Sequence, residues 1–102
     1  MTVPLWTLRN VSVRLRTYAT DSVALQSISL RIDAGERIAL VGESGSGKTL
    51  TALSPLRLQP EGAHLTGKIY WRRADGTEVN LLDLSLEQIR EIRGREIAMI
   101  FQ

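Results

Sequence analysis

Residues 42–49 read Gly-Glu-Ser-Gly-Ser-Gly-Lys-Thr, a complete G-x-x-x-x-G-K-[ST] pattern. These residue types in this order suit one task, the holding of a chain of phosphates. The backbone N–H groups of Ser44, Gly45, Ser46 and Gly47 can converge on one point and form an anion nest. Gly42, Gly45 and Gly47 permit backbone conformations and close approaches that a Cβ would block. Glu43 completes the octapeptide and counts with its phosphate-binding residues. Lys48 supplies a point charge for the β- and γ-phosphates. The Thr49 hydroxyl completes the coordination of Mg²⁺ beside the same oxygens.

Such a loop needs a strand before it and a helix after it. Arg37 to Val41 is a short apolar stretch that reads as a buried strand. Lys48 onward reads as a helix, to about Leu58, with its free N–H groups and positive dipole end aimed at the phosphates. Gln59-Pro60-Glu61-Gly62 then breaks it. Pro55 falls inside this helix, where proline removes one hydrogen bond and clashes with the Thr51 carbonyl, at a cost of about 3 kcal/mol. The helix either kinks at Pro55 and survives, or stops near Ser54.

Other segments alternate in the manner of a sheet with one wet face. Leu8, Val11, Val13 and Leu15 oppose Arg9, Ser12, Arg14 and Arg16 in a strand over 5–15. After a polar turn at 17–22, Ile28, Leu30 and Ile32 oppose Ser27, Ser29 and Arg31. Asp33-Ala34-Gly35-Glu36 is a turn. Lys68 to Arg73 reads as a strand, Asp75-Gly76 as a hairpin turn, and Val79 as the start of the return. Ser85-Leu86-Glu87-Gln88 is a capping box, with Leu84 and Ile89 at staple positions and Gly94 as the stop of a short helix. Ile97 to Phe101 is a second wholly apolar run, which fits a strand buried on both faces. The predicted fold is therefore composite α/β: part of a phosphate-loop core joined to an antiparallel β subdomain.

Composition sets further bounds. With 102 residues, 43% hydrophobic and 24% charged, the chain is one globular domain at most, or part of one. A net charge of +2, with the arginines scattered, gives no case for nucleic acid as a partner. There is no apolar run of membrane-spanning length, and the N-terminus lacks the pattern of a signal peptide. The absence of cysteine removes disulfides and thiolate metal sites and fits a cytosolic protein. His64, with no second ligand at a useful spacing, reads as a solvated loop residue. Trp6 reads as a packing residue at the domain edge and Trp71 as a residue of the antiparallel sheet.

The order Ser-Leu-Arg-Ile-Asp-Ala-Gly-Glu, apolar strand, Gly-Glu-Ser-Gly-Ser-Gly-Lys-Thr, Leu-Thr-Ala-Leu resembles the start of an ATP-binding cassette ATPase. Further on, Leu-Leu-Asp-Leu-Ser and Ile-Arg-Gly-Arg-Glu-Ile-Ala-Met-Ile-Phe-Gln resemble the peptide and nickel importer branch. The resemblance covers essentially the whole chain and makes residues 1–102 the N-terminal part of one nucleotide-binding domain. It implies ATP with Mg²⁺ as cofactors, and as partners transmembrane permease subunits and a second ATPase domain. It also implies a peripheral location on the cytoplasmic face of the cell membrane. In such proteins ATP binding closes two domains and hydrolysis reopens them, which moves a solute such as a peptide.

Gln102 matches the glutamine that begins the family's Q-loop, where its side chain reaches Mg²⁺ and the γ-phosphate region. Adenine in this family stacks on an aromatic residue after the first strand. Counting back from Asp33-Ala34-Gly35-Glu36 puts that position near Leu15, which is not aromatic, while Tyr18, three residues on, has the stacking chemistry. The second acidic motif, the signature sequence, the catalytic glutamate and the switch histidine would all follow position 102. The 102 residues alone are thus expected to lack ATPase activity, to bind nucleotide weakly and to be poorly soluble. The alternatives from the sequence are a truncated, non-catalytic nucleotide-binding module and another phosphate-loop NTPase such as a kinase.

Overall fold

The computed structural model describes residues 4–42, 47–58 and 62–100. Strand β1 (Pro4–Arg16) pairs antiparallel with both β2 (Asp21–Asp33) and β3 (Ala63–Arg72), and β3 pairs with the short β4 (Glu78–Asn80). The order across the sheet is β2-β1-β3-β4. Helix α1 (Lys48–Leu53) follows the phosphate-loop sequence and continues into a 3-10 turn over Ser54–Leu56. A second 3-10 turn over Leu81–Asp83 leads to helix α2 (Leu86–Ile92).

Apolar residues on one face of the sheet line up across strands. Trp6 stands between Ile32 and Trp71, Leu8 between Leu30 and Ile69, and Val13 between Leu25 and Leu65. Strict alternation would carry Leu8 to position 10, yet Val11 is the residue buried next. The change of parity is made by a bulge. Asn10 takes a left-handed conformation with φ 52°, and Ser27 on the neighbouring strand does the same with φ 49°. Each bulge inserts one residue and turns the strand's apolar set back to the same face. Seryl hydroxyls on the facing strands take the amides released from the ladder. Asn10 N–H donates to Ser29 Oγ at 3.1 Å and Ser27 N–H to Ser12 Oγ at 2.9 Å. On β3 the line of bulges meets Gly67, with φ 102°, where a Cβ would lie 2.4 Å from the Asn10 carbonyl oxygen. Only glycine fits that approach.

Leu8, Val11, Ile69, Leu81, Ile89 and Ile92 form the core, so α2 and the 3-10 turn before it cover the sheet's apolar face. The capping box forms as predicted: Ser85 Oγ accepts from Gln88 N–H at 3.1 Å, and Gln88 Oε1 accepts from Ser85 N–H at 2.9 Å. Gly94 follows with φ 80°. The 73–77 hairpin turn closes through Arg73 N–H to Thr77 O at 2.7 Å.

Four expectations need correction. Residues 37–42 form no strand, and Ile38, Leu40 and Val41 are exposed, Val41 to 92%. Residues 97–100 likewise form no strand beyond a single bridge from Ile97 to Arg93, and Ile100 is 96% exposed. A run that is apolar on both faces needs hydrogen-bonded neighbours and cover on both sides, and the described residues bring these two runs no strand partner. The helix after the phosphate loop does not reach Leu58, because the α-helical turns stop at Leu53. His64 is exposed as expected, but it sits within β3 opposite Arg14 rather than in a loop.

Pro55 explains where α1 ends. It has no N–H to give to Thr51 O, four residues back. The buried Ser54 hydroxyl donates to that carbonyl instead, at 2.9 Å. Pro55 is the second residue of the 3-10 segment, in its first turn, where its fixed φ is at home, and Arg57 with φ 56° closes it. Of the two readings open from the sequence, the early stop is the one observed.

Candidate phosphate-binding site

Gly42, Gly47, Lys48 and Thr49 are the described members of the phosphate-loop octapeptide; Glu43, Ser44, Gly45 and Ser46 lie outside the described residues, as does Gln102. Gly47 is the N-cap of α1. Its φ of 94° is left-handed, and a Cβ there would lie 2.4 Å from Cδ2 of Leu25. The exit of the loop is thus pressed against β2, and both the conformation and the space call for glycine. No side chain caps the helix start, so no capping side-chain oxygen competes for the first N–H groups of α1.

Lys48 curls back across the loop, and its Nζ donates to Gly42 O at 2.6 Å. The two ends of the octapeptide are thereby drawn together around an ammonium group. Thr49 lies in the first turn of α1 with an exposed side chain. Thr51, one half-turn on, faces inward, and its hydroxyl donates to Gly47 O at 2.8 Å. The two threonines therefore differ in kind: Thr51 ties the helix start to the loop, while Thr49 presents a free-standing hydroxyl to solvent.

These residues fit a phosphate chain with Mg²⁺. Gly47 is glycine where a Cβ would collide, the Lys48 ammonium bonds the Gly42 carbonyl, and Thr49 is exposed in the next position. Among the described residues there is no group of three or more His, Asp or Glu side chains that could hold a metal. Thr49 is the described residue whose hydroxyl could be offered to a divalent ion held with phosphate.

Tyr18 projects from the β1–β2 turn and is fully exposed. The turn beneath it is ordered by Thr17, whose Oγ1 accepts from Thr20 N–H at 3.0 Å and from Ala19 N–H at 3.3 Å. Asp21, at the start of β2, pairs with Arg14 at 2.8 Å. Leu15, the other candidate for stacking, is half-buried in the ladder opposite Ser22 and Ala63. An exposed ring is free to stack; a ladder leucine is committed to packing.

An apolar cavity of about 420 Å³ lies among Trp6, Trp71, Ile38, Leu40, Ile97 and Met99, with Ala52 and Pro55 from the segment after the loop also in its lining. The two apolar runs that form no strands both border it. Glu96 is the charged group in its lining, and that carboxylate is already engaged. It accepts from Arg73 Nη2 at 2.7 Å and from Trp71 Nε1 at 3.1 Å. The Arg73 guanidinium, against desolvation and aided by Trp71, holds the Glu96 carboxyl below its ordinary range. Such a lining does not suit a triphosphate.

The contacts that steady α1 from behind were not legible in the sequence. Arg93 donates through Nε and Nη2 to Leu56 O at 2.9 and 2.6 Å, and Arg57 donates through Nη1 to Leu84 O. Both join residues far apart in the chain, and no local pattern announces them. Ser54 could have been found, since a serine directly before a mid-helix proline can replace the missing donor.

The model of the ABC transporter family matches residues 25–102. Over 104 aligned residues the chain is 47% identical to an uncharacterized ABC transporter ATP-binding protein, YejF, of Escherichia coli K12, covering 100% of this chain and 19% of that protein. It is 39% identical to a putative peptide import ATP-binding protein of Brucella ovis, covering 97% of this chain and 30% of the relative. It is 38% identical to the dipeptide transport ATP-binding protein DppD of Lactococcus lactis, over 93% of this chain and 26% of that protein. The chain thus spans less than a third of the length of these relatives.

Proposed function

The chain belongs to the ABC transporter family, and from that membership we propose that residues 42–49 hold the phosphates of ATP with Mg²⁺. We read residues 1–102 as the N-terminal part of one nucleotide-binding domain. The whole protein would couple ATP binding and hydrolysis to import of a solute such as a peptide. The observation that carries this reading is the Gly42–Lys48 closure next to the left-handed Gly47 pressed on Leu25. The import function is supported by the relatives named for peptide and dipeptide uptake.

Each residue has a part in the binding step. On arrival of a triphosphate, Lys48 exchanges the Gly42 carbonyl for β- and γ-phosphate oxygens, a stronger, charge-assisted contact. The backbone N–H groups at the start of α1 point the same way, and the helix dipole favours the anion. Thr49 would offer its hydroxyl to Mg²⁺, and Gln102 is the second residue we assign to that ion. Tyr18 stacks on adenine. Bound Mg²⁺ neutralises charge on the phosphates, and the protein's contribution to phosphoryl transfer is positioning. Permease subunits and a second ATPase domain complete the assembly, which would sit peripherally on the cytoplasmic face of the membrane. Among the described residues no helix is long and apolar enough to cross a bilayer.

The test is a Thr49→Val comparison by calorimetry with and without Mg²⁺. Loss of the hydroxyl at constant shape should weaken binding of ATP more when Mg²⁺ is present. An equal loss in both conditions removes Thr49 from the metal.

A further inference from the structure

Arg93 stands at the C-cap of α2, and its guanidinium crosses to the far end of the segment that begins with Lys48. It gives two hydrogen bonds to Leu56 O, at 2.9 and 2.6 Å, and a longer one to Arg57 O, at 3.4 Å. Arg57 crosses the same seam in the opposite direction, to Leu84 O just before α2. The acceptors are the carbonyls that a helical segment leaves without partners at its C-terminal end. A guanidinium is the side chain best built to take them, with several donors in one rigid plane.

The segment so held is short. Helix α1 has only six residues before Pro55 diverts it into the 3-10 turn. So short a helix has little stability of its own, and packing decides its direction. At its front end the Thr51 hydroxyl donates to Gly47 O, and Gly47 abuts Leu25 of β2. The Arg93 contact at the back end joins it to the rigid body of sheet and α2, whose Ile89 and Ile92 are in the core.

We propose that Arg93 is a positioning residue for the phosphate site: by fixing the carbonyl end of residues 48–57 on α2, it sets the aim of Lys48 and Thr49. This rests on the reading of residues 42–49 as the phosphate site. Arg93 touches no nucleotide and acts through the helix. Arg57 reinforces the seam from the other side.

The experiment is a double-mutant cycle in the full-length protein that carries these residues, reading the Kd for Mg²⁺-ATP by calorimetry. Arg93→Gln removes the planar fork, and losing hydrogen bonds from a charged group at this seam should weaken Mg²⁺-ATP about tenfold. In a Thr49→Val background the same change should cost less than about threefold, because the metal contact that the clamp aims is already gone. Arg93→Lys keeps a donor at the carbonyls and should recover a large part of the affinity. An undiminished effect in the Thr49→Val background, or no effect at all, overturns the inference. Should Arg93→Gln fail to give a native far-ultraviolet spectrum, Arg57→Gln carries the cycle with the same expected non-additivity; additive effects there overturn it equally. Lys48→Ala is the control. If Lys48→Ala binds like wild type, the phosphate-site reading has failed. If it abolishes binding while the Arg variants match wild type, only the positioning role has failed.

Discussion

The antiparallel sheet with α2 and the two apolar runs at 37–42 and 97–100 are built from equally hydrophobic sequence, yet they end in opposite states. In the sheet Leu8, Val11 and Ile69, and in α2 Ile89 and Ile92, are fully buried. In the runs Ile38, Leu40, Val41 and Ile100 are exposed. The difference is where each finds its partners. A strand with one apolar face needs one covering layer, and the chain supplies it in α2 and the turn before it. A run apolar on both faces needs strand neighbours and two layers, and the described residues do not bring those together.

If that contrast is right, removing side-chain volume from the sheet should do the most damage. Ile69→Ala should lower stability by about 2–5 kcal/mol, since it opens a cavity where Ile69 meets Leu8 across strands. Urea unfolding of the chain measures it, and a loss below about 1 kcal/mol would show a core far looser than described. Gly67→Ala comes next. It puts a Cβ against the Asn10 carbonyl at a positive φ, so it should destabilise by about 1–3 kcal/mol through strain at a special backbone conformation. A neutral outcome would mean that the line of bulges across β1, β2 and β3 does not hold.

Ser54→Ala tests the early stop of α1. It leaves the Thr51 carbonyl without its hydroxyl donor, at an expected cost of about 1–3 kcal/mol for an unsatisfied buried acceptor. Pro55→Ala should give little or no gain, because the proline already sits at the start of a 3-10 turn that suits it. A clear gain would show that the chain prefers a longer helix.

The acid dependence is subtler. Arg73 holds the folded Glu96 pKa below its unfolded value. The contribution of Glu96 is therefore complete above the ordinary carboxylate range and fades as pH falls through the depressed pKa. Glu96→Gln should flatten that acid limb of a stability-against-pH curve; an unchanged limb would assign it to other carboxylates. Smallest of all should be Val41→Ser in the 102-residue chain, within about 0.5 kcal/mol, as for exposed positions in general. A loss of the size expected at Ile69 would mean that the 37–42 run is already buried.

The same contrast explains what the sequence could show. The capping box at Ser85–Gln88 and the turn at 73–77 are local, so their residues predict them directly. Alternation in β1 and β2 marked the right strands. The bulge at Asn10, which lets Leu8 and Val11 share one face, was not read from the sequence. The phosphate-loop octapeptide was legible because its spacing is itself the chemistry. The fate of 37–42 and 97–100 was not, since an apolar run states what it requires and not whether it is met. Nor was the Arg93 clamp, which depends on how α2 and α1 are placed by the whole fold.

The central claim is that Gly42–Thr49 is a phosphate cradle closed by Lys48. Binding of ATP to the wild type and to Lys48→Ala, measured by calorimetry on samples with matching far-ultraviolet spectra, tests it most directly. The account predicts that the substitution removes most of the affinity while the fold stays unchanged. Equal affinity in the two proteins would contradict it.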